Sequence, residues 1–209
     1  MINVNTLEQL SDFHLDVLRE VGNIGAGHAA TALSTLLQKP IDMEVPLVQV
    51  LHFDELVDHI GGAETLVVSV FLRIEGEIPG SMYFVQDLES AKKLLRNFAG
   101  ITNDNQEMFN EMELSALQEI GNILSGSYLN SLSDFTSMRL LPTVPALAID
   151  MAGAILDIGL IELGRVSDTA ILIETRFFDE HEEIEGHFFL IPDPESFSNL
   201  FRGLGVSMP

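Results

Sequence analysis

Glu20-Val-Gly-Asn23-Ile24 recurs at an offset of 99 residues as Glu119-Ile-Gly-Asn122-Ile123. Each copy lies in a stretch whose apolar residues return every three or four positions, which is the spacing of an amphipathic helix. A segment that repeats at a fixed offset indicates a duplicated structural unit. We therefore expect two equivalent helices, one in each half of the chain.

The match extends to both sides of this core. At the same offset, Asp16 corresponds to Ser115 and Pro46 corresponds to Pro145. Both copies thus share the pattern Asp/Ser-x3-Glu-x2-Asn-x22-Pro. The long spacer has the same length in both copies, which makes the pattern specific.

A second similarity follows later in each half. The segment Gly80–Ser90 resembles Gly186–Ser196 at an offset of 106, so the second copy holds a seven-residue insertion. The two repeats cover about 8–105 and 107–209. Because one repeat alone has a marginal core, we predict that residues 1–209 form a single pseudo-symmetric domain.

Each half has the predicted order helix, strands, helix. The strand segments are rich in Val, Ile and Phe, and Glu75-Gly76 predicts a hairpin turn. Hairpins in place of βαβ crossovers predict an α+β fold, a pseudo-twofold tandem repeat with largely antiparallel sheet packed on helices. The predicted helices are Leu15–Leu33, Asp87–Phe98, Glu113–Phe135 and Asp193–Leu204, and the predicted strands are Asp42–Phe53, Thr65–Ile74, Glu77–Val85, Ala146–Leu163, Thr169–Phe178 and His187–Ile191.

Polar residues are placed to cap three of these helices. Asn110 with Glu113 three residues later suits the start of the helix that carries the second motif. Asp87 and Asp193 each precede an apolar helical run and are predicted N-caps.

The motif residues form a polar row on each helix. At about 100° per residue, the first, fifth and eighth positions of the motif lie within about 60° of one another around the helix axis. One row comprises Asp16, Glu20 and Asn23, and the other comprises Ser115, Glu119 and Asn122.

The Gly-Asn pair inside each row is unfavourable for a helix. In a helix interior, Gly costs about 1 kcal/mol and Asn about 0.6 kcal/mol relative to Ala. A requirement other than helix stability must therefore select the pair. Gly22 and Gly121 remove side-chain bulk beside the row, which would let another backbone or a partner approach closely.

Two interpretations of a Glu-x-x-Asn row are open. The residues could be solvated surface side chains, or the Asn could bond to the other copy across the pseudo-twofold. The recurrence, with the proline at the same distance, favours a functional site. A carboxylate can accept a hydrogen bond from a Lys, and an amide can both donate and accept to orient a water molecule. Glu20, Asn23, Glu119 and Asn122 thus suit hydrolysis in which water is positioned rather than strongly activated.

The composition excludes several classes of protein. The 209 residues carry 32 Asp+Glu against 10 Lys+Arg, a formal net charge of −22. So few basic residues cannot form the patch that nucleic acid or an anionic membrane surface requires. There is no Cys, which excludes disulfides, thiolate metal sites and a Cys nucleophile. Without a basic leader or an apolar run of about 18 residues, we expect a cytoplasmic protein with no membrane insertion.

Two other motifs are weaker. Gly25–Ala30 matches the Gly-x-Gly-x-x-Ala nucleotide fingerprint, but that fingerprint requires a preceding strand and the segment before it is predicted to be helical. We interpret its Gly and Ala residues as a helix-packing face. His181–His187 lacks the His-Glu-x-x-His spacing of a zinc site and is predicted to be a solvated hairpin tip.

The double Asp/Ser-x3-Glu-x2-Asn-x22-Pro signature resembles that of the CheC/CheX/FliY family of chemotaxis phosphatases, over nearly the whole chain. Two intact Glu/Asn pairs are typical of CheC-type members, whereas CheX-type members have one pair and FliY-type members carry an additional flagellar switch domain. The resemblance implies an enzyme that dephosphorylates the phosphoaspartate of the response regulator CheY.

The resemblance also implies roles for the residues and partners. Glu20 and Glu119 would hold the active-site lysine of the regulator, while Asn23 and Asn122 would align the attacking water. The chain would need no cofactor of its own, since the Mg²⁺ would be bound by the regulator. The receptor deamidase CheD is implied as a second partner. The competing hypothesis is a non-enzymatic adaptor that binds phosphorylated CheY or CheD without turnover.

Overall fold

The computed structural model describes residues 11–101, 109–162, 169–178, 183–193 and 196–205. The helices are α1 (Asp12–Leu37), α2 (Phe53–His59), α3 (Leu88–Leu94), α4 (Glu111–Thr136), α5 (Ala152–Glu162) and α6 (Ser196–Gly203), and a π-helical turn, Leu95–Ala99, continues α3. The strands are β1 (Asp42–Glu44), β2 (Val48–His52), β3 (Leu66–Gly76), β4 (Gly80–Asp87), β5 (Leu140–Pro142), β6 (Ala146–Met151), β7 (Thr169–Phe178) and β8 (Glu183–Pro192).

All of these strands belong to one sheet, in the order β1-β7-β8-β4-β3-β5. β2 also pairs with β7, and β6 also pairs with β3. Every pairing among the described strands is antiparallel. The predicted α+β fold with largely antiparallel sheet is therefore confirmed.

The two halves exchange their first strands. β4 and β8 pair at the centre of the sheet, where Tyr83 lies opposite Phe189, its equivalent at the offset of 106. On one side of this pair, β1 and β2 from the first half border β7 of the second half. On the other side, β5 and β6 from the second half border β3 of the first half. Each half thus supplies the strands that complete the sheet of the other.

Helices cover both faces of the sheet. Side chains alternate between faces along a strand, so Phe188 and Leu190 join the core beneath α1 and α4, while Phe189 and Ile191 join the core beneath α2 and α5. The two long helices that carry the motif lie side by side on one face. Their inner sides are buried in the sheet core, which leaves their outer sides for the polar rows.

A close contact joins α1 to α4. A Cβ placed on Gly25 would lie 2.9 Å from Cδ1 and 3.1 Å from Cα of Tyr128, so only Gly allows this approach. The Tyr128 hydroxyl forms a 2.9 Å hydrogen bond with Thr175 of β7, and burial raises the pKa of Tyr128 far above its ordinary value. The packing role predicted for the glycine motif is confirmed at Gly25, whereas Gly27 is exposed with no neighbour near its Cα.

Several predicted elements are wrong in detail. Ala146–Leu163 is not one strand, because β6 ends at Met151 and α5 follows, while Leu163 lies outside the described residues. Buried Ala152, Ile155 and Leu156 have helical spacing, which explains the change. The predicted strand Asp42–Phe53 is divided into β1 and β2 and ends where α2 begins. Sequence reasoning also missed α2 and β5.

Two of the three predicted N-caps are confirmed. Asn110 Oδ1 accepts from the Glu113 N–H at 3.0 Å, and the Glu113 carboxylate accepts from the Asn110 N–H at 2.7 Å. Asp87 Oδ1 accepts from the Ser90 N–H at 2.9 Å. Asp193 is not a side-chain cap, because its carboxylate pairs with Arg73 of β3 and α6 begins only at Ser196.

The predicted hairpin tip His181–His187 is wrong over its described part, because Glu183–His187 belong to β8 and pair with β7, while residues 181–182 lie outside the described residues. β7 and β8 pair up to Phe178 opposite Glu183, on either side of that segment. Within the described part of the chain, no helix is long and apolar enough to cross a membrane.

Candidate active site

The two polar rows lie on the exposed sides of α1 and α4. In the first row, Asp16 and Glu20 are exposed and Asn23 is partly buried. In the second row, all three side chains are exposed: Ser115, Glu119 and Asn122. The structure therefore places each predicted Glu/Asn pair on one helix face, as the spacing indicates.

In the first row, the Asn23 amide is held by backbone. Its Oδ1 accepts a hydrogen bond from the Val45 N–H at 2.9 Å, and its Nδ2 donates to the Val45 carbonyl at 3.1 Å. The same Nδ2 donates to the Arg19 carbonyl at 3.0 Å. The loop before Pro46 is thereby fastened to α1, and both donors and the acceptor of the amide have partners.

In the second row, the corresponding loop is fastened differently. Gln118 Nε2 donates to the Pro145 carbonyl at 2.8 Å. Asn122 has no hydrogen-bond partner among the described residues, and its side chain is exposed. The two repeats thus share the residues of the motif but differ in how the amide is used.

The exposure of the valine before each motif proline shows the same difference between the two loops. Val45 is 2% exposed and packs over Gly22, whereas Val144 is 88% exposed. Burial of a Val side chain stabilises by about 1.5–3 kcal/mol. The first loop therefore packs against its helix, while the second leaves the apolar side chain of Val144 exposed.

Neither motif Glu is paired with a cation of the described residues. Arg19 turns away from Glu20 and pairs with Asp16 at 2.9 Å, one turn earlier on α1. Over the described residues, Glu20 and Glu119 form no ion pair. Both carboxylates are thus free to accept a cation from outside the chain.

A side chain of this same chain packs against the glycine of each row. A Cβ on Gly22 would lie 3.4 Å from Cγ1 of Val45, an ordinary contact. A Cβ on Gly121 would lie 2.7 Å from Cγ2 and 2.8 Å from Cβ of Val70 on β3. A valine of the fold therefore contacts each glycine, and the approach is close only at Gly121.

We expect Gly121→Ala to lower the free energy of unfolding by about 2 kcal/mol, because overpacking against a strand costs about 3 kcal/mol and the gain in helix propensity returns only about 1 kcal/mol. Gly22→Ala is the matched control and should be neutral or slightly stabilising, since Val45 leaves room for the methyl group. Urea unfolding of both variants measures the difference. Equal effects at the two positions would contradict the close contact with Val70.

Sequence reasoning missed Gln118 and the backbone of Val45 as parts of the site. The repeat did contain a sign of the difference, because Gln118 corresponds to Arg19 at the offset of 99. The Arg19 guanidinium pairs with Asp16 and forms no hydrogen bond to the loop within the described residues. Which loop each side chain reaches depends on the fold, and the motif alone does not contain it.

Among the residues that the structure describes, no group of three His, Asp or Glu side chains is arranged to hold a metal ion. A groove beside α1 is lined by small and hydroxyl-bearing side chains, including Thr31, Ser34 and Thr35. These hydroxyls donate to backbone carbonyls of the chain, so the polar rows remain the strongest candidate site.

Comparison with known proteins identifies the family. The model of the CheC-like family matches twice, over residues 13–49 and 112–149, and each match contains one complete motif. The CheY-P phosphatase CheC of Bacillus subtilis (strain 168) is 46% identical over 203 residues, which cover 95% of this chain and 97% of that protein.

Solved structures share the fold at lower identity. FliY of Thermotoga maritima superposes with a TM-score of 0.74 at 21% identity, covering 94% of this chain and 98% of that structure. The middle domain of FliM from H. pylori gives a TM-score of 0.68 at 12% identity, covering 93% and 99%. These structures share the fold, and the double match together with the B. subtilis relative shows that the chain belongs to the CheC-like family.

Proposed function

We propose that this protein is a phosphatase that hydrolyses the phosphoaspartate of the chemotaxis response regulator CheY. The observation that carries the proposal is the exposed Glu119/Asn122 pair on α4, which repeats the Glu20/Asn23 pair on α1. The B. subtilis relative named as a CheY-P phosphatase supports it.

The chemistry proposed for the pair is positioning. The Glu119 carboxylate accepts a hydrogen bond from the lysine of the regulator and thereby fixes the orientation of the regulator. The Asn122 amide donates a hydrogen bond to the attacking water and accepts one from it. The water oxygen forms a bond to phosphorus as the bond between phosphorus and the aspartyl oxygen breaks, which yields inorganic phosphate and a free carboxylate. The Mg²⁺ of the regulator stabilises the negative charge on the phosphoryl oxygens.

The negative charge of the chain agrees with a site in which the regulator supplies the cations. A protein with a net charge of −22, whose two motif Glu residues form no ion pair over the described residues, is a poor host for a free phosphate ester. A response regulator brings both the lysine and the metal ion. The cationic part of the active site is therefore proposed to belong to the substrate protein.

A second candidate is an adaptor that binds phosphorylated CheY without turnover. The exposed apolar side chain of Val144, in the loop that Gln118 of α4 holds, favours binding of a partner protein, and binding alone would lower the amount of free phosphorylated regulator. The receptor deamidase CheD is proposed as a further partner on the family resemblance alone.

Phosphate release with the regulator in large excess separates the two functions. The enzyme gives many turnovers, and the Asn23→Ala/Asn122→Ala double variant should lower the rate by about 100-fold, because the groups that orient the water are removed. Retained unfolding cooperativity shows that the variant is folded. At most one phosphate released per protein, or an unchanged rate in the double variant, would exclude the phosphatase. Wild-type protein should not hydrolyse a small phosphate monoester.

A further inference from the structure

The loop before the motif proline competes for the amide of the motif Asn. In the first half, the Val45 N–H donates to Asn23 Oδ1, and the Val45 carbonyl accepts a hydrogen bond from Asn23 Nδ2. Because Nδ2 also donates to the Arg19 carbonyl, this amide has no N–H left to donate to a water molecule, and one of the two lone pairs of Oδ1 is occupied. The loop therefore acts as an internal ligand of its own site.

In the second half, Gln118 holds the loop in place of the Asn. It lies one helical turn before Asn122 on α4, and its Nε2 donates to the Pro145 carbonyl at 2.8 Å. The Val144 N–H, which corresponds to the Val45 N–H, has no hydrogen-bond partner among the described residues. The Asn122 amide is consequently left exposed.

The first half has no such residue, because Arg19 takes the position of Gln118. Its guanidinium pairs with Asp16, whose place in the second row is taken by Ser115. The Ser115 hydroxyl donates to the Glu111 carbonyl of its own helix at 2.8 Å and so leaves Gln118 unengaged on that side. The difference between the two loops thus follows from two changes on the helix face.

We propose that Gln118 is a positioning residue that keeps the second site available. By fastening the Pro145 loop through a carbonyl next to Val144, it prevents the Val144 backbone from binding Asn122 as Val45 binds Asn23. This role rests on the proposed function, since it concerns the same site, but the arrangement of the loop can be measured without any phosphatase assay.

Two variants separate the hydrogen bond from the bulk of the side chain. Gln118→Met keeps the length and removes the donor, whereas Gln118→Lys keeps a donor that can reach a carbonyl. Amide hydrogen exchange, measured by NMR, reports whether the Val144 N–H becomes bonded. We expect its exchange to slow by about tenfold in Gln118→Met and to stay at the wild-type rate in Gln118→Lys.

The double variant Gln118→Met/Asn122→Ala completes the test, because removal of the amide should restore fast exchange at Val144. In an Asn23→Ala background, Gln118→Met should lower kcat for phosphorylated regulator by about fivefold or more with a smaller change in KM, and Gln118→Lys should restore it. Unchanged exchange at Val144 in Gln118→Met would overturn the inference. A failure of the proposed function is distinct, since the Asn23→Ala/Asn122→Ala double variant would then release phosphate at the wild-type rate while the exchange result stands.

Discussion

Asn122→Ala is expected to lower the turnover of phosphorylated regulator by about tenfold or more, whereas Asn23→Ala lowers it by less than about twofold. The reason is the free energy needed to release each amide. Three hydrogen bonds hold Asn23. At about 1 kcal/mol each, they reduce the fraction of free amide by about a hundredfold. Asn122 has no such bonds within the described residues.

Steady-state phosphate release from an excess of phosphorylated regulator measures both variants. Asn130→Ala is the matched control, because Asn130 is an exposed Asn further along α4 and outside the row. Equal losses at the two motif positions would mean that the Val45 loop opens freely when the regulator binds. A larger loss for Asn23→Ala would reverse the assignment of the open site.

The second large effect is a loss of stability in acid. Between pH 6.5 and pH 4, the contribution of His187 to the free energy of unfolding is expected to fall by about 3 kcal/mol. Burial, with a smaller contribution from the neighbouring His59, lowers the pKa of His187 from 6.5 to about 4, against the opposing effect of Glu174 and Asp87. These groups face the ring from α2, β7 and β4. Between these two pKa values, His187 is therefore mostly neutral in the folded state and mostly protonated in the unfolded chain.

The sign follows from this difference in proton uptake. Above about pH 6.5 both states hold neutral His187 and its contribution to stability is complete; as the pH falls towards 4, the unfolded state gains the proton first and stability is lost. Chemical unfolding of wild type and His187→Gln across this interval, each referred to its own value at neutral pH, isolates the effect from the carboxylates. Parallel curves for the two proteins would contradict the role of His187.

The regular elements could be predicted from the sequence wherever one pattern lasted for most of the element. α1 and α4 have long apolar stripes, and β7 is rich in β-branched and aromatic residues, so their positions were found. α2 and α5 were missed because each follows a strand directly. Ala152 begins a helix in a segment as apolar as the strand before it, and periodicity cannot mark that boundary.

The candidate site was predictable to the level of the helix face. Repetition identified Glu20, Asn23 and their counterparts, and helical geometry placed each pair in one row. The states of the two amides were not predictable, because they depend on loops that reach the helices from elsewhere in the chain. Only the fold shows that Val45 lies closed on α1 while Val144 stands exposed.

The exchange of first strands between the halves has a consequence for folding. β2 pairs with β7 and β6 pairs with β3, so the outer strands form their ladders only after most of the chain has been brought together. Closing such long loops costs entropy before the contacts repay it, which slows folding and makes the transition cooperative. A newly synthesised first half has no β7 to pair with β1 and β2. These two strands therefore stay unpaired and exposed until the second half has been synthesised.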